Sequence, residues 1–359
     1  MNKKHLLNLF LPAVVPLVFT GCTRPALQPY SLDTPVQILS VVGAEPVKDG
    51  RARFREIFCG LLANDPNQQD QTVNREDYLL RLGDEPPKDE GSRPAAADNP
   101  RLRILVVPGL FGECIAATVR PFEIAMAHLR SLGYKVDDII VNGRSSSDHN
   151  ADQIAAAISA LDLDEDERLV LIGHSKGAVD ILHFLVNHPE SARRVSAVVS
   201  VAGAINGSPI AAIAADAYEM LGVFVDIDQC EKGDNGALTS LKRSVRLNWH
   251  AANRLPDFVK YFSLVAFTQR DRVNTILVSG YDQLNVIDPK NDGLLLFSDQ
   301  VIPGARLLGY ANADHWAVAL PFEQKEPVLT KTLLDHNNFP RTILLQAMVQ
   351  YVSETLLNP

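Results

Sequence analysis

The sequence predicts an α/β fold, a mostly parallel central sheet flanked by helices. From Arg101 onward, short runs rich in β-branched residues alternate with helix-length amphipathic segments, the pattern of successive βαβ units. Those runs are apolar throughout, as strands covered by helices on both faces must be. No self-similarity at a solenoid or propeller period competes with this reading. With 359 residues, 46% of them hydrophobic, the chain has enough apolar surface for a large core.

The chain opens with an expected export leader at residues 1–21. Lys3 and Lys4 precede an apolar run from Leu6 to Phe19, which closes on the small pair Thr20-Gly21. The run falls short of the about 20 apolar residues a membrane span needs, and Pro12 and Pro16 interrupt it, so cleavage is expected. Phe19-Thr-Gly-Cys22 resembles the lipobox of bacterial lipoproteins, which implies a lipid on Cys22 and a membrane anchor through it. Thr23, where lipoproteins kept in the inner membrane carry Asp, implies the outer membrane. Apart from Cys22, the cysteines are Cys59, Cys114 and Cys230, so one internal disulfide at most is expected, its pairing open.

Residues 22–100 read as an N-terminal extension and linker. Phe54, Ile57, Phe58 and Leu61 recur at helical spacing within Gly50–Leu62, a piece expected to dock on the main domain. Between Asn64 and Pro100 the composition is polar, acidic and proline-rich, which predicts a tether or surface loop. Residues 101–359 form the main domain. Its strands are expected at Arg103–Val107, Val136–Val141, Leu169–Ile172, Val195–Val201, Tyr261–Phe267 and Arg306–Tyr310. Helices are expected at Pro121–Leu132, Asn150–Ala160, Lys176–Asn187 and Arg341–Leu357. The stretch 207–257 is longer than a crossover needs and predicts a cap or lid.

Gly173-His-Ser-Lys-Gly177 follows the run Leu169–Ile172 and opens an apolar helix, the strand, turn and helix context of a nucleophile elbow. A nucleophilic serine must project from a tight turn, and side chains at both ends of that turn would collide with strand and helix, hence the glycines. The turn sets a helix N-terminus beneath Ser175, where the backbone N–H of Lys176 can donate to an oxyanion. Pro108-Gly-Leu-Phe-Gly112 ends an earlier strand, and the N–H of Leu110 or of Phe111 is the second candidate donor.

A serine hydroxyl needs a histidine to take its proton, and that histidine needs a carboxylate. In the α/β-hydrolases, which the elbow resembles, the order along the chain is Ser, acid, His. His315, in the small-residue loop Ala311-Asn-Ala-Asp-His-Trp316, fits best; His183, His188, His250 and His336 lie in helical, lid or polar-loop contexts. Asp292, in Asn291-Asp-Gly-Leu294, is the preferred acid over Asp282, Asp288 and Asp299, and Asp314 is awkwardly adjacent to His315. Asn-Asp-Gly-Leu followed by the histidine, with the elbow and Pro108–Gly112, resembles bacterial triacylglycerol lipases and related esterases. The resemblance covers about Arg101–Pro359 and implies the α/β-hydrolase fold and an acyl-enzyme route of ester cleavage by Ser175, Asp292 and His315.

The net charge of −9 and the absence of a basic stripe argue against nucleic acid as a partner. No haem, flavin, nucleotide or metal pattern is present, so no cofactor is expected. The expected partners are an ester substrate and, through Cys22, a bacterial envelope membrane. A binding lipoprotein that keeps the fold without catalysis, and an acyltransferase with the same triad, remain open alternatives.

Overall fold

The computed structural model describes residues 46–65, 75–82, 85, 101–116, 119–211, 231, 233–325, 334–336 and 338–357. Among them, eight strands form one sheet: β1 (Lys48–Asp49), β2 (Leu79–Leu80), β3 (Leu102–Val107), β4 (Lys135–Asp138), β5 (Arg168–His174), β6 (Val195–Val201), β7 (Lys260–Phe267) and β8 (Arg306–Asn312). The spatial order is β1-β8-β7-β6-β5-β3-β4, with β2 added on β8. Every pairing is parallel except β2 on β8.

Helices of eight or more residues are α1 (Arg51–Asn64), α2 (Glu123–Ser131), α3 (Ser147–Ser159), α4 (Lys176–Asn187), α5 (Arg243–Ala252), α6 (Val278–Asn285) and α7 (Arg341–Leu357). Side chains alternate across the sheet, and both faces are buried. In β5, Val170 and Ile172 join a core with Phe54, Phe58, Phe122, Met126 and Met348 from α1, α2, α7 and the residue before α2. Leu169 and Leu171 join the opposite core, with Ile154 and Ile158 of α3 and Ile181 and Leu182 of α4. That double burial is why these strands read as unbroken apolar runs rather than alternating ones.

The sheet reaches further back than Arg101. Lys48 and Asp49 lie parallel to β8, and Leu79 and Leu80 antiparallel to it. Phe54, Ile57, Phe58 and Leu62 of α1 are buried in the same core as α7. Arg55 donates to the carbonyls of Leu79 and Leu80 and pairs with Glu85, which ties these three residues to α1. Within the expected lid, α5 is packed: Arg246 is fully buried, and Trp249 stacks on His183 of α4. Residues 212–230 and 232 of that stretch lie outside the described residues, as do the leader, Cys22 and Cys230. No helix among the described residues is long and apolar enough to cross a membrane. The helix expected from Asn150 begins earlier, at Ser147, because Ser146 caps it by accepting from the His149 N–H.

Candidate active site

At the carboxyl end of β5 the chain turns into α4 through Ser175, whose backbone sits at φ 56°, ψ −125°. Such a conformation is costly for a residue with a Cβ and persists only where the surroundings hold it. Here the Ser175 N–H donates to the Val201 carbonyl at 3.2 Å, and its own carbonyl accepts from Ala178 and Ala204. The flanking glycines are required: a Cβ on Gly173 would lie 2.4 Å from Ala178 Cα, and one on Gly177 would lie 2.3 Å from the Val107 carbonyl oxygen. With helix, β3 and β5 this close, only the serine side chain is left to project from the sheet edge.

The loop after β8 brings His315 to that serine. Ser175 Oγ lies 2.8 Å from His315 Nε2, and His315 Nδ1 lies 2.7 Å from Asp292 Oδ2. With Nδ1 facing a carboxylate, the imidazole proton belongs on Nδ1, and Nε2 is the acceptor for the serine hydroxyl. Asp292 is fully buried, and its other oxygen accepts from the N–H groups of Leu294 and Leu295 at 2.9 and 2.7 Å. Gly293, at φ 94°, makes the turn that points those groups inward. The residues after it form a turn and a single 3-10 turn, Phe297–Gln300.

The second candidate donor lies in the loop after β3. Gly109 and Gly112 close a turn through the Gly112 N–H to the Gly109 carbonyl at 3.1 Å, with Phe111 left-handed at φ 59°. A Cβ on Gly109 would lie 2.8 Å from Ser175 Cβ, so this turn runs directly beside the nucleophile. The Phe111 N–H donates to the Gly143 carbonyl at 3.2 Å and is not available to an oxyanion. Leu110 and Lys176, the first residue of α4, carry the N–H groups that remain on this side of Ser175.

Over 91% of its length the chain matches a metagenomic carboxyl esterase of known crystal structure, with 38% identity, 97% of that protein covered and a TM-score of 0.80. The chain belongs to this carboxyl esterase family of the α/β-hydrolase fold. The mature lipase of Bacillus licheniformis, at 20% identity, 69% coverage of this chain, 97% of that one and a TM-score of 0.51, shares the fold. No family model matches the sequence, and no curated protein does.

The remaining candidates of this esterase are accounted for by other contacts. Asp314 is fully buried and accepts from Asn274 N–H and Nδ2 and from the N–H groups of Trp316 and Ala317, so it shapes the histidine loop rather than meeting the imidazole. Burial pushes its carboxyl up to about 6, against those four donors. Asp282 pairs with Arg270, Asp299 with Arg243, and Asp288 accepts from the Lys290 N–H. His183 lies between Asp148 and Arg246, His250 faces the Ile205 carbonyl, His188 pairs with Asp152, and His336 with Asp335. The Lys176 ammonium is buried and gripped by both oxygens of Asp180 at 2.7 and 2.9 Å. Cys114 is disulfide-bonded.

Three supporting residues of this esterase carry no motif of their own. Gln300 clasps both backbone groups of Ala266 and donates to Asp292 Oδ2 at 3.2 Å, a role that depends on a partner 34 positions upstream. His174 donates from Nε2 to the His315 carbonyl at 2.9 Å; burial, and then His315 itself, hold its imidazole neutral down to about 3. Its position inside the glycine-serine motif was the available signal. Glu113 accepts from the Gly143 N–H beside the oxyanion turn. Among the described residues no cluster of His, Cys, Asp or Glu has the geometry of a metal site.

Proposed function

We propose that this carboxyl esterase works by acyl transfer through Ser175. The observation that supports the reading is the hydrogen-bonded chain from Ser175 Oγ through His315 to buried Asp292, on a strained elbow. His315 Nε2 takes the hydroxyl proton as Oγ attacks the ester carbonyl, and Asp292 stabilises the imidazolium that forms. The N–H groups of Leu110 and Lys176 receive the oxyanion, in a site where dipoles fixed in advance need no reorganisation. The adduct collapses with loss of the alcohol, which receives the proton from His315, leaving an acyl group on Ser175. Water, activated by the same imidazole, then cleaves the acyl-enzyme to the carboxylic acid and restores the serine.

Hydrolysis of p-nitrophenyl esters from acetate to palmitate by the full chain in detergent, beside Ser175→Ala, tests this reading. Activity is expected to fall to background in the variant, a loss of about five orders of magnitude or more, and a fluorophosphonate is expected to label Ser175 alone. An unreactive chain that the probe does not label would replace catalysis with binding. Acyl transfer to an added alcohol in preference to water would make the chain an acyltransferase.

We also propose that the mature chain is a lipoprotein of the bacterial envelope, anchored through Cys22. The sequence Thr20-Gly-Cys22 after an apolar leader supports it. Metabolic labelling with an alkyne fatty acid is expected to mark the wild type and not Cys22→Ser.

A further inference from the structure

Beside the oxyanion turn lies a half-buried contact that the Ser–His–Asp chain does not use. Glu113, in the single helical turn Gly112–Ile115, accepts from the Gly143 N–H on Oε2 at 2.5 Å. The Gly143 carbonyl in turn accepts from the Phe111 N–H. One residue of the loop after β4 is therefore held by both of its backbone groups, once by a carboxylate and once by the oxyanion turn. The fit requires glycine: a Cβ on Gly143 would lie 2.3 Å from Glu113 Oε2 and 2.5 Å from the Phe111 nitrogen.

Glu113 is kept there against its own solvation. Burial pushes its carboxyl up, against the Gly143 N–H that it accepts. Its second oxygen, Oε1, is buried with no hydrogen-bond partner among the described residues. A carboxyl group held at such cost needs a compensating role. Phe111 is left-handed, a conformation that surrounding contacts must hold. The Glu113 and Phe111 contacts to Gly143 supply that restraint.

We propose that Glu113 is a positioning residue for the oxyanion hole: by fixing Gly143 it holds the turn Gly109–Gly112 and aims the Leu110 N–H at the oxygen of the tetrahedral adduct. The inference rests on the acyl-transfer reading above and adds to it a residue that touches no substrate atom. The Leu110 N–H matters most where charge develops on the substrate oxygen, so a loosened turn lowers turnover while leaving ground-state binding nearly intact.

The test compares the full chain with Glu113→Met and Glu113→Gln in hydrolysis of p-nitrophenyl butyrate, with rates normalised to fluorophosphonate-titrated sites. Inhibition by an alkyl trifluoromethyl ketone, whose serine adduct carries an oxyanion, reads the hole directly. Glu113→Met is expected to lower kcat by about 10- to 100-fold with KM within about threefold, and to weaken the ketone by a similar factor. Glu113→Gln retains an acceptor for the Gly143 N–H and is expected to restore most of the loss. If Glu113→Met does not fold, Glu113→Ala, which removes the same acceptor and leaves Phe111 untouched, carries the test by the same criteria. Unchanged kcat and ketone affinity would overturn the inference, as would a loss confined to thermal stability. Ser175-dependent hydrolysis beside an indifferent Glu113→Met removes this inference alone; a wild type without Ser175-dependent hydrolysis removes the acyl-transfer reading and this inference with it.

Discussion

At Asp292 every lone-pair direction has a use: two backbone N–H groups on one oxygen, the imidazole and Gln300 on the other. An amide in its place keeps the shape but removes the charge and turns a donor toward the imidazole, forcing the wrong tautomer. Asp292→Asn is therefore expected to lower kcat by about 10³- to 10⁴-fold with little change in KM, read by steady-state ester hydrolysis. Gln300→Met removes one donor to the same carboxylate, worth about 1.5 kcal/mol, together with both Ala266 contacts, and is expected to lower kcat about tenfold. The two residues differ in how legible they were. Asp292 sits in a local pattern with its own turn glycine, as Ser175 sits in its elbow, while chain order left five histidines and only their local contexts singled out His315. Gln300 has no such pattern, since its partner is a backbone group on β7. The choice between Leu110 and Phe111 was equally out of reach, because it turns on the Gly143 carbonyl that takes up the Phe111 N–H, more than thirty positions away and after another strand.

Among the elements, α1 shows both sides of that limit. Its helical spacing of Phe54, Ile57 and Phe58 announced an apolar face, and that face is buried against α7. The strands on either side of it were invisible, because two residues carry no periodicity and earn their place only by pairing with β8. Phe54 is wholly buried, so Phe54→Ala is expected to destabilise the fold by about 3 to 5 kcal/mol, measured by urea unfolding. A chain begun at Arg101 would uncover the α7 face and the outer edge of β8 together. It is expected to aggregate where the chain from residue 46 stays in solution, as size-exclusion chromatography would report.

Across the whole molecule, burial sets how stability responds to acid. His174 is held down to about 3, and His183 and His250 to about 4, by burial first and by neighbouring positive or imidazole groups second. Below about pH 6.5 the unfolded chain binds protons at these three that the folded chain refuses, so their contribution is complete above 6.5 and is lost as pH falls toward 4. Asp299 and Asp314, pushed up to about 6 by burial, act in the opposite sense, taking protons in the folded chain before the unfolded one does. Glu113 and Glu323, raised by burial as well, act with these aspartates but shift less than the three histidines, so the melting temperature is expected to drop between pH 6.5 and 4. His183→Gln, which can still donate to Asp148 and accept from Arg246, is expected to flatten that slope, as scanning calorimetry across pH would show. The contacts of the residues before Arg101 also bear on how the chain reaches this state. Arg53 pairs with Glu354 across 301 positions, and Asn312 donates to Asp77 across 235, so the first part of the domain to be synthesised is completed by the last. Contacts this distant in sequence form slowly, because the loop between them must close before they hold anything in place. Folding is therefore expected to end with a seam drawn shut between the first and last described parts of the domain, and until it closes the β8 edge stays open to pairing with a neighbouring molecule.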